Sequence, residues 1–216
     1  MRNNLLPIAK EGLNYIIWAI LSFAFFAILD LDFLQFFTFL VTLFFLFVFR
    51  NPERENIIFQ ENSVVSPVDG VVVSIEELKD NKYTYKVEID SNYFNVSLLR
   101  SPLTSLLSYI EIYRGTRLSP LSTLSKNINE KVVLIFRDKN ENSIKVVHRL
   151  KQSFMNIKID AIKNQNLLKG SRYGVMINGI TTLYLPQNFR LNVSVGNELT
   201  ASQALIGYFT NDKKNK

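Results

Sequence analysis

The stretch SVVSPVDGVVVSIEEL, residues 63–78, sets two runs of β-branched residues around a turn at Pro67, Asp69 and Gly70. Side chains branched at Cβ are stiff and fit a pleated strand, whereas proline and Asp-Gly favour a turn, so the stretch reads as strand, turn, strand. The same pattern recurs downstream in YTYKVEI (83–89), FNVSLL (94–99), KVVLIFRD (131–138), SIKVVHRL (143–150), TTLYLP (181–186) and RLNVSVG (190–196). Turn signals separate these runs at Asp80 with Asn81, Asp138 to Asn142, Pro186 with Asn188, and Gly196 with Asn197. Helical periodicity is weak throughout. Residues 51–210 are therefore expected to form a mainly β domain, barrel-like or a sandwich of curved sheets. Its clearest hairpin is KVVLIFRDKNENSIKVVHRL (131–150), which places His148 on a strand, alternating with Val146 and Leu150, as a sheet residue with one hydrogen bond.

Upstream the pattern changes. Residues 13–29 and 33–49 are two uncharged apolar runs of 17 residues each, separated by Asp30, Leu31 and Asp32. That length is the short end of the roughly 17 to 25 residues a bilayer-spanning helix needs. The second run is apolar all round a helix rather than striped, which argues against a core helix of a soluble protein. Two tandem runs without a small-residue cleavage site fit a signal peptide poorly. Residues 1–50 thus read as a two-helix transmembrane hairpin. Arg2 and Lys10 precede it and Arg50 and Arg54 follow it, so the positive-inside rule puts both ends in the cytoplasm. The expected location is the inner (cytoplasmic) membrane, with the β domain facing the cytoplasm and residues 211–216 a frayed polar tail.

Composition removes several chemistries. The chain has no cysteine and one histidine, which excludes disulfide frameworks, thiolate metal sites and cysteine nucleophiles. Asp69, Glu76, Glu77 and Asp80 lack calcium-loop spacing and read as solvated turn residues, so no metal is expected. The net charge of +6 falls entirely after residue 50, a balance suited to an anionic phospholipid membrane rather than to nucleic acid. KGSRYG (169–174) lacks the strand, turn and helix order of a phosphate-cradling loop.

VVSPVDGVVVSI (64–75) and LTASQALIGYF (199–209) resemble the two halves of a biotinyl or lipoyl-type β barrel. No Met-Lys-Met or Asp-Lys-Ala hairpin tip occurs, so a swinging-arm carrier is disfavoured. The order of features along nearly the whole chain resembles the short, bacterial and archaeal type of phosphatidylserine decarboxylase. PIAKEGLNYI (7–16) looks like the lead into that family's membrane hairpin, and FVFRNPER (47–54) like its Phe-Arg-Asp-Pro-Glu-Arg exit. The Ser66 to Gly70 turn is similar to the family's Ser-Pro-Ala-Asp-Gly strand. LLRSP (98–102) echoes Asn-Arg-Ser-Pro, and LLKGSRYGVMINGITTLYLP (167–186) resembles its Gly-Glu-Arg-Phe-Gly-Leu-Ile to Val-Tyr-Leu-Pro end.

The resemblance implies phospholipid metabolism, with phosphatidylethanolamine made from phosphatidylserine. It also implies a pyruvoyl group, formed when the chain cuts itself at a Gly-Ser bond and the serine becomes a modified N-terminus. The serine oxygen must attack the preceding carbonyl, form an ester and be eliminated. Here Gly179 falls on the family glycine, but Ile180 takes the serine's place and the segment is one residue short. Upstream, the family's Asp-Val-His-Val-Asn-Arg reads Asn95, Val96, Ser97, Leu98, Leu99, Arg100. Asn95 and Ser97 thus replace the family's acid and base histidine, while Asp69 and Arg100 are kept, the latter as a candidate substrate contact. Gly170-Ser171 is a literal Gly-Ser bond nine residues early, and Thr181 and Thr182 carry hydroxyls that would yield a ketobutyryl group. The expected protein is a family member without pyruvoyl-dependent activity, and the alternative is an active decarboxylase cut at an unconventional site. Expected partners are an anionic phospholipid membrane and an aminophospholipid ligand, with homo-oligomers or an active paralogue left open.

Overall fold

A computed structural model describes residues 6–54, 57, 59–79 and 82–210; the polar tail and the Asp80-Asn81 turn lie outside them. The chain divides into two compact units, Met1–Glu53 and Arg54–Lys216. In the first, helices α1 (Leu13–Ile28) and α2 (Asp32–Val48) are joined by a short turn in which Asp30 adopts a left-handed φ of 52°. Ring pairs Tyr15–Phe45, at 5.5 Å between centroids, and Phe23–Phe39, at 6.3 Å, hold the helices together. Gly12 sits where a Cβ would lie 2.2 Å from the Phe49 ring, so only glycine lets α1 approach this closely. Hydroxyls inside the helices turn back on the chain: Ser22 donates to the Trp18 carbonyl and Thr42 to the Thr38 carbonyl. Trp18, Ile28 and Phe33 are mostly exposed, unlike residues of a packed core. The segment Lys10–Ile28 is long and apolar enough to cross a membrane; Asp32–Val48 is shorter.

The second unit is mainly β. Its strands are β1 (Ser63–Val65), β2 (Gly70–Glu77), β3 (Tyr85–Ser91), β4 (Leu98–Arg100), β5 (Ser105–Tyr113), β6 (Lys131–Arg137), β7 (Ser143–Leu150), β8 (Lys158–Ile159), β9 (Asn166–Leu167), β10 (Arg172–Val175), β11 (Gly179–Leu185), β12 (Phe189–Leu191), β13 (Glu198–Leu199) and β14 (Leu205–Phe209). One helical turn, α3 (Ser125–Ile128), interrupts the connection from β5 to β6. The largest sheet runs β13-β2-β3-β11-β7-β6-β5-β9, and two small sheets run β1-β14-β12 and β4-β10-β8. Among the described residues the strands of these sheets pair antiparallel.

Alternation sets the core. On β6, Val132, Leu134 and Phe136 point inward, and on β7, Ile144, Val146, His148 and Leu150 do the same. Each such Leu or Ile removed from water contributes about 1.5–3 kcal/mol. The hairpin turn is closed by Asp138, whose Oδ1 accepts from the Asn140 and Asn142 backbone N–H groups. The Asp69-Gly70 turn opens β2, and residue 70 is glycine because a Cβ there would lie 2.3 Å from the Asp90 carbonyl oxygen of the neighbouring strand.

Candidate functional site

Asp69 is the centre of a buried polar knot. Arg54 grips it as a fork, Nη1 donating to Oδ1 at 2.7 Å and Nη2 to Oδ2 at 2.6 Å. The Ala201 backbone N–H donates to Oδ1 at 2.8 Å, and the Val96 N–H to Oδ2 at 3.3 Å. Arg54 also donates to the Ala201 carbonyl, and the Ser91 hydroxyl donates to the Asp69 carbonyl at 2.5 Å. The two charged side chains are 8% and 13% exposed, so the pair is satisfied away from bulk water. Both oxygens of the carboxylate are thus engaged, and the fork fixes its orientation.

The sequence-read positions gather around the start of β11. Gly179 stands across from Ser91 on β3 and Leu150 on β7, and Ile180 across from Asp90 and Arg149. Ser97 is buried and its carbonyl accepts the Met176 N–H at 2.8 Å, just before the turn into β11. Asn95 is one residue from the Val96 N–H that reaches Asp69; its Oδ1 is used locally, accepting from the Asn92 N–H. Arg100 departs from the group: its buried guanidinium donates to the Gly170 carbonyl at 3.2 Å. Gly179 has a packing reason to be glycine, since a Cβ there would lie 2.5 Å from the Met176 sulfur and 2.8 Å from the Arg149 carbonyl. Ile180 occupies an ordinary ladder position with a half-buried side chain, and it supplies no oxygen to attack the Gly179 carbonyl. The residues at this junction therefore do not fit the formation of a pyruvoyl group.

The sequence offers hydroxyls at two other places, and their surroundings differ. Thr181 is fully buried, its Oγ1 2.8 Å from His148 Nδ1, while His148 Nε2 lies 2.6 Å from the Tyr173 hydroxyl. His148 thus makes two hydrogen bonds rather than the one expected, because β10 brings Tyr173 over the inward face of β7. Burial drives the imidazole pKa from 6.5 down to about 3 and pushes the Tyr173 hydroxyl upward, so the cluster is neutral. A neutral imidazole has one donor and one acceptor, and the two hydroxyls satisfy both. Thr181 is paired to Ile89 and His148 in mid-ladder, which makes this a core polar cluster.

The Gly170-Ser171 bond is different. Gly170 is left-handed, with φ 79°, and its carbonyl accepts from buried Arg100 and, at 3.5 Å, from the Ser202 hydroxyl. The Ser171 hydroxyl is buried without a hydrogen-bond partner among the described residues.

Arg54 is the residue that sequence reasoning left out of the site. Its signal was the NPER stretch, 51–54, read only as the exit from the apolar hairpin. A second feature visible only in the fold is a cavity of about 550 Å³, whose lining includes the apolar Ile57, Phe59 and Leu106 and the charged Arg137, Asp138 and Lys169. Lys169 Nζ donates to the Gln60 carbonyl and the Ser63 hydroxyl, both at 2.7 Å, and burial lowers its pKa. Among the described residues no group of three or more His, Asp or Glu side chains is arranged to hold a metal.

The profile of the family described as phosphatidylserine decarboxylase matches residues 41–207. A phosphatidylserine decarboxylase proenzyme of Geobacter metallireducens is 32% identical over 217 residues, covering 96% of this chain and 99% of the relative. Proenzymes of the same name from Geotalea daltonii and Geotalea uraniireducens are 31% and 30% identical, over 97% and 96% of this chain. This chain belongs to the phosphatidylserine decarboxylase family.

Proposed function

We propose that this protein is a membrane-anchored lipid-binding member of the family that does not cut itself and carries no pyruvoyl group. The observation that carries the reading is Ile180 after Gly179: peptide cleavage to an ester needs a side-chain oxygen at that residue, and isoleucine has none. Two further features support it. Asn95 and Ser97 stand where the family's acid and histidine are expected, and Asp69 is held by Arg54 and two backbone N–H groups.

The lipid reading draws on the cavity beside Lys169. Its lining combines apolar residues with cations (Arg137, Lys139, Lys169) and acids (Glu61, Asp138), a set complementary to a headgroup bearing both an anion and an amine. An aminophospholipid has that chemistry. Helices α1 and α2, whose exposed faces are apolar, would anchor the protein in the inner membrane with the β domain on the cytoplasmic side.

A second reading keeps activity through the Gly170-Ser171 bond. It is favoured by the Arg100 guanidinium on the Gly170 carbonyl, which would stabilise negative charge there, and by the unpartnered Ser171 hydroxyl beside it. It is the weaker reading because the family aligns its glutamate, not its serine, with Ser171.

Intact-mass spectrometry of the purified full chain separates the two. A single species near 25.0 kDa is expected. Two fragments, the smaller one beginning at position 171 with a blocked N-terminus, would establish the second reading and overturn the first.

A further inference from the structure

Leu121, Leu124 and Ile128 are 95%, 56% and 43% exposed. They lie along a run of successive turns from Ser119 that ends in the helical turn α3. Ser122 N–H bonds the Ser119 carbonyl, Ser125 N–H the Ser122 carbonyl, and Ile128 N–H the Leu124 carbonyl. Ser125, in the same run of turns, is buried. Exposed leucines on a slack loop would mean little, but this loop is braced. Buried Asn129 donates through Nδ2 to the Leu118 and Leu150 carbonyls and accepts the Leu118 N–H. Buried Glu130 accepts the Ile157 N–H and pairs with Arg114, while Arg117 donates to the Ser153 carbonyl and to Asn156. The fold holds an apolar ridge outward in a fixed place.

We propose that this ridge, between β5 and β6, is a docking surface for an anionic lipid bilayer, with Leu121, Leu124 and Ile128 entering the acyl boundary. Charge and neighbouring residues select that occupant. Arg114, Arg117, Lys126 and Lys131 bracket the ridge in sequence; Glu130 among them is buried and paired with Arg114, and Glu76 lies close enough to Lys126 to feel its charge. Half-exposed Tyr109 and Tyr113 on β5 both donate to Glu111. Exposed leucines, tyrosines and cations are the residue types of a bilayer interface, where apolar tails give way to headgroups. The inference rests on the membrane anchoring proposed above: Arg54 follows Val48 by six residues, so a spanning helix would hold the β domain near lipid at high effective concentration. Weak contacts then suffice, and three apolar side chains with four cations are enough to fix which face meets the lipid.

The chain has no cysteine, so a single introduced thiol reports one position. Full-length Leu121→Cys and Val195→Cys variants, each carrying an environment-sensitive fluorophore, would be reconstituted into vesicles of phosphatidylglycerol and phosphatidylcholine containing nitroxide-labelled lipid. Val195 is 60% exposed and lies on the turn before β13. The expected result is blue-shifted emission with loss of intensity to the nitroxide at position 121, and water-like, unquenched emission at 195. Water-like emission at both positions, in protein that floats with the vesicles, overturns the docking surface while leaving the anchor standing. Blue-shifted emission at 121 that the nitroxide does not quench and that fades on diluting the protein means a second copy covers the ridge, and it overturns the proposal too. Protein that does not float overturns the anchoring on which the proposal rests; none of these outcomes bears on whether the chain is cut, which the mass measurement reads separately.

Discussion

Arg54 meets Asp69 with both guanidinium nitrogens, one on each carboxylate oxygen, at 2.7 and 2.6 Å, in a site where both side chains are nearly sealed from water. The pair joins the residue that follows the apolar hairpin to the turn that opens β2. It also ties in Val96 and Ala201, through their N–H groups on the same carboxylate.

Removing one member of such a pair leaves the other charged and buried. Arg54→Ala is therefore expected to destabilise the β domain by about 3–5 kcal/mol. Urea unfolding of the detergent-solubilised full chain measures this, with Arg54→Ala/Asp69→Asn as the partner variant. A double variant no more stable than the single one would show that the loss does not come from a stranded carboxylate.

Restoring the missing oxygen alone should not restore cleavage. Ile180→Ser places a hydroxyl after Gly179 but leaves Asn95, Ser97 and the shortened segment as they are. The expected mass is that of one chain. Fragments breaking at residue 180 would mean that the side-chain oxygen was the sole lesion.

Gly179→Ala tests the packing reason for glycine at the start of β11. The added methyl would press on Met176 and on the Arg149 carbonyl, and such overpacking costs about 1–3 kcal/mol. Thermal unfolding should show the loss, and Met176→Ala should recover only part of it, since the Arg149 contact is backbone. An unchanged midpoint would point to another reason for glycine here.

His148 makes stability depend on pH in a defined direction. Its folded pKa, about 3, lies below the ordinary 6.5, so between those values the unfolded chain binds a proton that the folded chain refuses. The stabilisation is complete above pH 6.5 and declines as pH falls toward 3. At 1.36 kcal/mol per pH unit, the chain should be about 2 kcal/mol less stable at pH 5 than at pH 7 through this residue alone. Comparing urea midpoints at the two pH values for the wild type and His148→Gln isolates the contribution; equal pH slopes in both proteins would remove it.

Lys169→Ala is expected to weaken binding of short-chain phosphatidylserine to detergent-solubilised protein. Losing a charge-assisted hydrogen bond of about 1.5–3 kcal/mol corresponds to roughly 10- to 100-fold in affinity. Isothermal titration reads it directly, and equal affinities would place the ligand outside the cavity.

Much of the architecture was legible because it is written in short-range pattern. Alternating residues from 131 to 150 marked the β6–β7 hairpin with His148 on its second strand, and the uncharged runs before residue 50 marked both helices. What escaped were contacts between residues far apart in the chain. Arg54 and Asp69 are only 15 positions apart, yet nothing in either stretch announces a fork between them. Ala201 reaches the same carboxylate from 132 positions away. The second hydrogen bond of His148 depends on β10 laying Tyr173 against it, and the brace beneath Leu121 depends on Asn129 and Glu130 being buried.

The sequence by itself determined the mainly β character of the second unit, the apolar helices of the first, and the absence of an oxygen at residue 180. Each is a property of side-chain chemistry or of periodicity along a few residues. Only the tertiary structure decided that Asp69 is an anchored ion pair, that Thr181 belongs to a neutral core cluster, and that Arg100 turns to the Gly170 carbonyl. Burial and hydrogen bonding set the state of a polar group, and both depend on which distant strands the fold brings alongside it.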